Sequence, residues 1–225
     1  MLAIEAYYKC LTKVNKLVTN NEQDIPAHIF VQIFNEEQLL FFEEQFKLFE
    51  INQIKTDEFQ KLITYSKLDE GSNSKNYKSF KLPEDYFHYV NSYTLASNKV
   101  CNQIELSNKL IEESNIHVYR KDVCYEPSIE WQETLITISG DSIKIWTNNQ
   151  FNVDSVEIQY LRYPKKINIA TGFTDLTNTM TEDINPEFEG YILEKLIDRT
   201  ALNIAGNIND VNRYNTLSNK IKING

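Results

Sequence analysis

The sequence predicts an α+β protein with helices at both ends of the chain and an antiparallel sheet between them. Three observations carry this. Apolar residues recur at helical spacing up to about residue 63 and again after Pro186, and between these stretches the period falls to two, with turn signals separating short apolar runs. The order helix, sheet, helix is not the alternation of a βαβ fold. The boundaries read as a helical bundle from 1–65 plus 183–225, a flexible polar loop at 66–79, and an antiparallel β insertion at 80–170.

The first helix covers residues 2 to 18, with Ala3, Tyr7, Cys10, Leu11, Val14, Leu17 and Val18 on its apolar side. Lys9, Lys13 and Lys16 form a basic stripe, which is either a solvated face or a contact for an acidic partner subunit. Asp24-Ile25-Pro26 then reads as a helix start, since Asp24 can cap and Pro26 has no N–H to leave unpaired in the first turn. The helix runs to about Glu50. Phe30, Phe34, Phe41, Phe42, Phe46, Leu48 and Phe49 fill one broad arc, and Ile29, Ile33 and Leu40 form a narrower line beside it. Glu36, Glu43 and Glu50 repeat every seventh residue as an acidic stripe. A helix apolar on more than one side needs cover on more than one side, from its own chain or from a neighbouring subunit.

Thr56 can cap a short third helix through Phe59, Leu62 and Ile63. The stretch 66–79 shows no period. Beyond Phe80, Leu82-Pro83 leads by a turn into a strand that ends near Tyr93 or Leu95; Val100 to Leu110 is a weaker strand, and a short helix fits between Glu112 and Asp122. Gly140-Asp141 and Asn148-Asn149 are turn signals, so Thr134 to Arg162 reads as a three-stranded antiparallel meander. Its last strand alternates Val156, Ile158 and Tyr160 against Glu157, Gln159 and Leu161, and Pro164 ends it. Asn185 and Pro186 open a C-terminal helix carrying Phe188, Ile192, Leu196, Ala201 and Ile204; a last short helix follows Val211.

Composition excludes more than it assigns. A net charge of −9 in 225 residues is wrong for neutralising phosphates. It suits a surface past which DNA slides without binding, and equally any soluble protein. Three cysteines, widely spaced, give no disulfide framework, and no run is long and apolar enough to span a membrane. His28, His88 and His117 are isolated, and Cys101, His117 and Cys124 lack zinc spacing. There is no phosphate-binding glycine loop and no nucleophile elbow. Paired acids such as Glu36-Glu37, Glu43-Glu44 and Glu112-Glu113 read as solvent faces. Arg162, Lys165 and Lys166 are too few for a nucleic-acid site. Hence neither catalytic residues, metal ligands nor a cofactor are expected.

Four segments, NEEQLLFFEEQF (35–46), LPEDYFHYVNSYT (82–94), YEPSIEW with IKIWTNNQFNVDSVEIQYLRYPKKI (within 125–167), and RYNTLSNK (213–220), together resemble the neck or tail ring proteins of crAss-like bacteriophages. The resemblance implies a podovirus-adaptor-like fold and no enzymatic activity. It implies a structural ring subunit, in about twelve copies, that joins capsid to tail and encloses the DNA channel. Portal or neighbouring ring and tail proteins would be its partners and the virion neck or tail its location, after assembly in the host cytoplasm. A module that attaches tail fibres or a receptor-binding protein is the alternative. In a ring, Glu36, Glu43 and Glu50 are candidates to face the lumen, and Ile29, Ile33, Leu40, Phe41, Phe42 and Phe46 are candidates for the subunit interface.

Overall fold

The structure, a computed structural model, describes residues 1–15, 25–52, 60–98, 103–170 and 182–207, with backbone alone at 48–52 and 207. Two compact units form: Met1–Asp57 with Pro164–Gly225, and Glu58–Tyr163.

In the first unit, α1 (Ala3–Asn15), α2 (Ala27–Asn52) and α4 (Gly190–Asn207) are the described helices. Ala3, Ala6, Cys10 and Val14 make a small-residue stripe along α1, and all four are buried. Helix α4 packs against both α1 and α2. Its Leu193, Leu196, Ile197, Ala201, Ile204 and Ala205 are buried. Helices α1 and α2 meet where the Tyr7 ring lies 5.5 Å from that of Phe30, which in turn lies 5.5 Å from Phe34. Phe41 meets Phe188 edge-on at 6.2 Å.

Pro26 precedes α2 as read, while Asp24 lies outside the described residues. The expected C-terminal cap is displaced. Helix α4 starts at Gly190, whose φ of 56° is a left-handed value that glycine adopts freely. Asn185 instead accepts a hydrogen bond from the Ala3 N–H at 2.8 Å, satisfying a donor in the first turn of α1. Thr56 and the predicted final helix lie outside the described residues. A two-way amide clamp fixes residues 165–168 along α2. The Asn35 side chain donates to the Ile167 carbonyl at 3.1 Å and accepts from the Ile167 N–H at 2.8 Å, and Gln38 donates to the Lys165 carbonyl at 2.9 Å.

The second unit is an eight-stranded mixed sheet. Its strands are β1 (Ile63–Leu68), β2 (Gly71–Asn73), β3 (Tyr77–Lys81), β4 (Tyr86–Ser97), β5 (Ile104–Leu110), β6 (Glu133–Ser139), β7 (Ser142–Trp146) and β8 (Asn152–Arg162). A four-residue helix, α3 (Ile116–Tyr119), lies between β5 and β6. The order across the sheet is β1-β8-β4-β5-β6-β7-β3-β2. Strands β1 and β2 are its two ends, yet only Asp69 and Glu70 separate them in sequence, so the sheet curls until its ends meet at that corner. Its concave side holds one core, which includes Phe80, Ala96, Leu106, Ile136, Ile143, Ile145, Val156, Ile158 and Tyr160. On the outer side, Ile111, Ile116, Leu135 and Trp146 form a smaller cluster under the excursion that contains α3.

These observations correct the expected architecture. The chain is mixed α and β, but a helical bundle carrying an inserted antiparallel sheet is not evident among the described residues. The curled sheet is the main element, and it is not purely antiparallel, because β5 and β6 pair in parallel. The stretch 66–79 is not a flexible loop: it contains the end of β1, all of β2 and the start of β3. Its residues are exposed or half-buried, so no apolar alternation marks the strands. The meander is also only half present. Strands β6 and β7 form the hairpin read at Gly140-Asp141, but β8 leaves β7 and runs between β1 and β4. The free edge of β7 is taken by β3, with Tyr77 opposite Trp146. Asn148 and Asn149 do adopt left-handed φ values of 48° and 60°, but Asn148 is held by Arg120 rather than by a returning strand.

Candidate interaction surface

Among the described residues no group of three or more His, Cys, Asp or Glu can hold a metal ion, and no helix is long and apolar enough to cross a membrane. Two surfaces stand out among the described residues.

The first is the solvent side of α2. Phe30, Phe34, Phe41 and Phe42 are buried within the chain and Phe46 is half-buried, so the phenylalanine arc is the helix's own core contact. Of the proposed interface residues, Ile33, Phe41 and Phe42 are therefore already covered. The narrower line is different, since Ile29 and Leu40 remain 39% and 50% exposed, as does Leu39 at 40%. Glu36 and Glu43 are exposed too, and the Glu50 side chain lies outside the described atoms. At about 100° per residue Ile29, Glu36, Leu40 and Glu43 fall within about 60° of one another. The acidic stripe and the apolar line, read as separate features, are one face. Leu39, which the apolar spacing does not single out, lies at the edge of that face.

The flank of α2 toward α4 is polar but internally satisfied. Arg199 donates to Glu37 at 3.1 Å and grips Glu44 with two bonds, of 2.7 and 2.8 Å; Asn203 donates to the other oxygen of Glu37 at 3.0 Å. The hydrogen bond from Arg199 holds the Glu44 carboxyl below its ordinary range. The basic stripe of α1 also has partners in its own chain. Lys9 pairs with Glu194, and Lys13 with Glu194 and Asp198 of α4 at 3.1 and 2.9 Å. An acidic partner subunit is not needed for either lysine, and Lys16 lies outside the described residues.

The cysteines differ sharply. Cys10 is buried, which pushes its thiol up to about 12; Lys13 pulls the other way and Asp198 adds to the rise. Cys124 is exposed. Of these two, Ellman's reagent is expected to label Cys124 in the native chain and Cys10 only after unfolding. Mass mapping of the labelled peptides checks this, and native-rate labelling of Cys10 would contradict its placement.

The second surface is the outer side of the sheet. One row of neighbouring residues crosses five strands: Lys67, Glu157, Tyr93, Ser107 and Glu133. Tyr93 donates to the Glu157 carboxylate, and that bond is the main cause of a phenol pushed up to about 12. Beside this row, Tyr65 is 73% exposed and Trp131 is 78% exposed. Sequence reading gave these residues no role, because only the three-dimensional register brings them together.

No protein-family model matches the chain, and no curated protein is detectably similar to it.

Proposed function

We propose that the chain is a structural ring subunit of a phage portal–tail connector, without enzymatic activity, in which copies cover one another and enclose a DNA channel. The observation that supports this reading is the solvent face of α2. After the chain has buried Phe30, Phe34, Phe41 and Phe42, Ile29, Leu39 and Leu40 still stand in water along one side of a long helix. Covering them on assembly would gain roughly 25 cal/mol per Å² of apolar area. A closed ring joins two different faces of each subunit, so α2 would be one partner of a heterologous contact. Glu36 and Glu43 then edge that contact instead of lining the lumen. The overall charge of −9 favours DNA passing without specific binding.

The test uses purified full-length chain, alone and mixed with portal protein, analysed by light scattering and negative-stain imaging. Closed rings, free or formed on the portal, are the expected result. The variant Leu40→Glu should keep its helical circular dichroism, since the site is half exposed, and lose the rings. Rings that survive Leu40→Glu would remove α2 from the interface. Absence of assembly under every condition would end the ring reading itself.

A further inference from the structure

We infer that the outer face of the sheet is a docking surface for a basic polypeptide segment that carries apolar side chains. The aromatic residues are placed for contact: Tyr65 on β1, Tyr93 on β4 and Trp131 at the entry to β6. Trp131 sits in the turn closed by the Ser128–Glu133 bridge, and the Gln132 carbonyl of that turn accepts from the Ser107 N–H of β5 at 2.7 Å. This bond ties the tryptophan to the sheet face instead of leaving it on a free tip. Exposed Trp and Tyr on a fixed scaffold are the residue types that dominate binding energy at protein interfaces.

Charge selects the occupant. Glu105 and Glu133 are exposed, and Glu130 adjoins Trp131. None of these three has a cationic partner among the described residues. Glu157 is engaged by Tyr93, and the cation of the row, Lys67, is paired with Asp69 at 3.3 Å. Lys109, on the same side of β5, is engaged over the rings of Tyr119 and Tyr125, 6.0 and 4.4 Å from their centres, so the face near Tyr93 and Trp131 is left with carboxylates that have no cation. A second copy presenting the same face would be repelled, whereas a basic segment gains both ion pairing and aromatic cover. This surface lies on the sheet unit and does not depend on the α2 face or on ring formation.

The test titrates the full-length chain into a fluorescently labelled, alternating Lys–Leu peptide and follows anisotropy. Saturable binding is expected, weakening with salt. Trp131→Ala should reduce affinity by roughly tenfold or more, and Glu105→Gln with Glu133→Gln should reduce both the affinity and its salt dependence. Circular dichroism confirms that each variant is folded. Oligolysine of equal charge should bind distinctly more weakly. Equal binding by oligolysine, or by the Trp131→Ala chain, would reduce the effect to non-specific charge attraction and overturn the proposal. So would the lack of saturable binding.

Discussion

Phe30→Ala is expected to destabilise the protein by about 3–5 kcal/mol, the range for emptying a phenylalanine site in a packed core. Phe30 has no solvent exposure, and its ring lies between Tyr7 of α1 and Phe34 of its own helix. Truncation removes its apolar contacts and leaves a cavity where two helices meet. The neighbouring turns are fixed by the amide clamp at Asn35 and by the Arg199 cluster, so collapse into the gap is restricted. Leu40→Ala on the same helix is the control. Its side chain is 50% exposed and should cost under about 1 kcal/mol. Urea unfolding followed by far-ultraviolet circular dichroism measures both. Equal costs at the two positions would show that the phenylalanine arc is not the inner side of α2.

That contrast also shows what the sequence could reveal about the helices. Spacing alone placed Phe30, Phe34 and Phe42 on one side, and it identified Ile29 and Leu40 as a separate line. It could not tell which side the chain itself would cover. Ile33 belongs to the same line by pattern, yet it is 8% exposed and buried with the core, because a helical period defines direction around the axis and not the reach of the neighbouring helix. Asn185-Pro186 carried a sound capping signal, but its acceptor went to the N-terminus of α1, and no local rule chooses between two nearby helix ends.

The sheet was legible in its strands and illegible in its pairing. Alternation gave β8 its inward Val156, Ile158 and Tyr160, and Gly140-Asp141 gave the β6–β7 hairpin. Partners are non-local. Nothing within residues 148–152 says that β7 already has β3 on its open edge, 71 residues away between Asn76 and Thr147. Polar β2, with Gly71, Ser72 and Asn73 all exposed, has no period to read. The outer-face row from Lys67 to Glu133 draws on five strands whose order only folding reveals. The candidate docking surface therefore had no sequence signature beyond the presence of its tyrosines and tryptophan.

Removal of Arg199 should show how the helical unit tolerates carboxylates at a helix contact. The guanidinium makes the pair with Glu37, whose side chain is 11% exposed, and the two-bond grip on Glu44, which is 55% exposed. Arg199→Met keeps most of the stem packing and leaves Glu37 charged without its cation. We expect a loss of about 2–3 kcal/mol, below the usual cost of stripping one partner from a fully buried pair because water reaches Glu44. If the loss comes from the orphaned charge, adding Glu37→Gln should recover most of it, since glutamine stays neutral and still accepts from Asn203. A double variant as unstable as Arg199→Met alone would instead place the loss in the Glu44 grip or in packing. The pH dependence supplies a second readout with a fixed sign. Glu44 titrates lower in the folded chain than its ordinary value of 4.5, so its share of stability is complete above that value and disappears as pH falls through the folded one. In the Glu37→Gln background, where that position carries no carboxylate, the stability gap between Arg199 and Arg199→Met should therefore be flat from neutral pH down to about pH 5 and narrow in more acid solution. A gap that widens on acidification would mean that the guanidinium is not holding a carboxylate in the folded state.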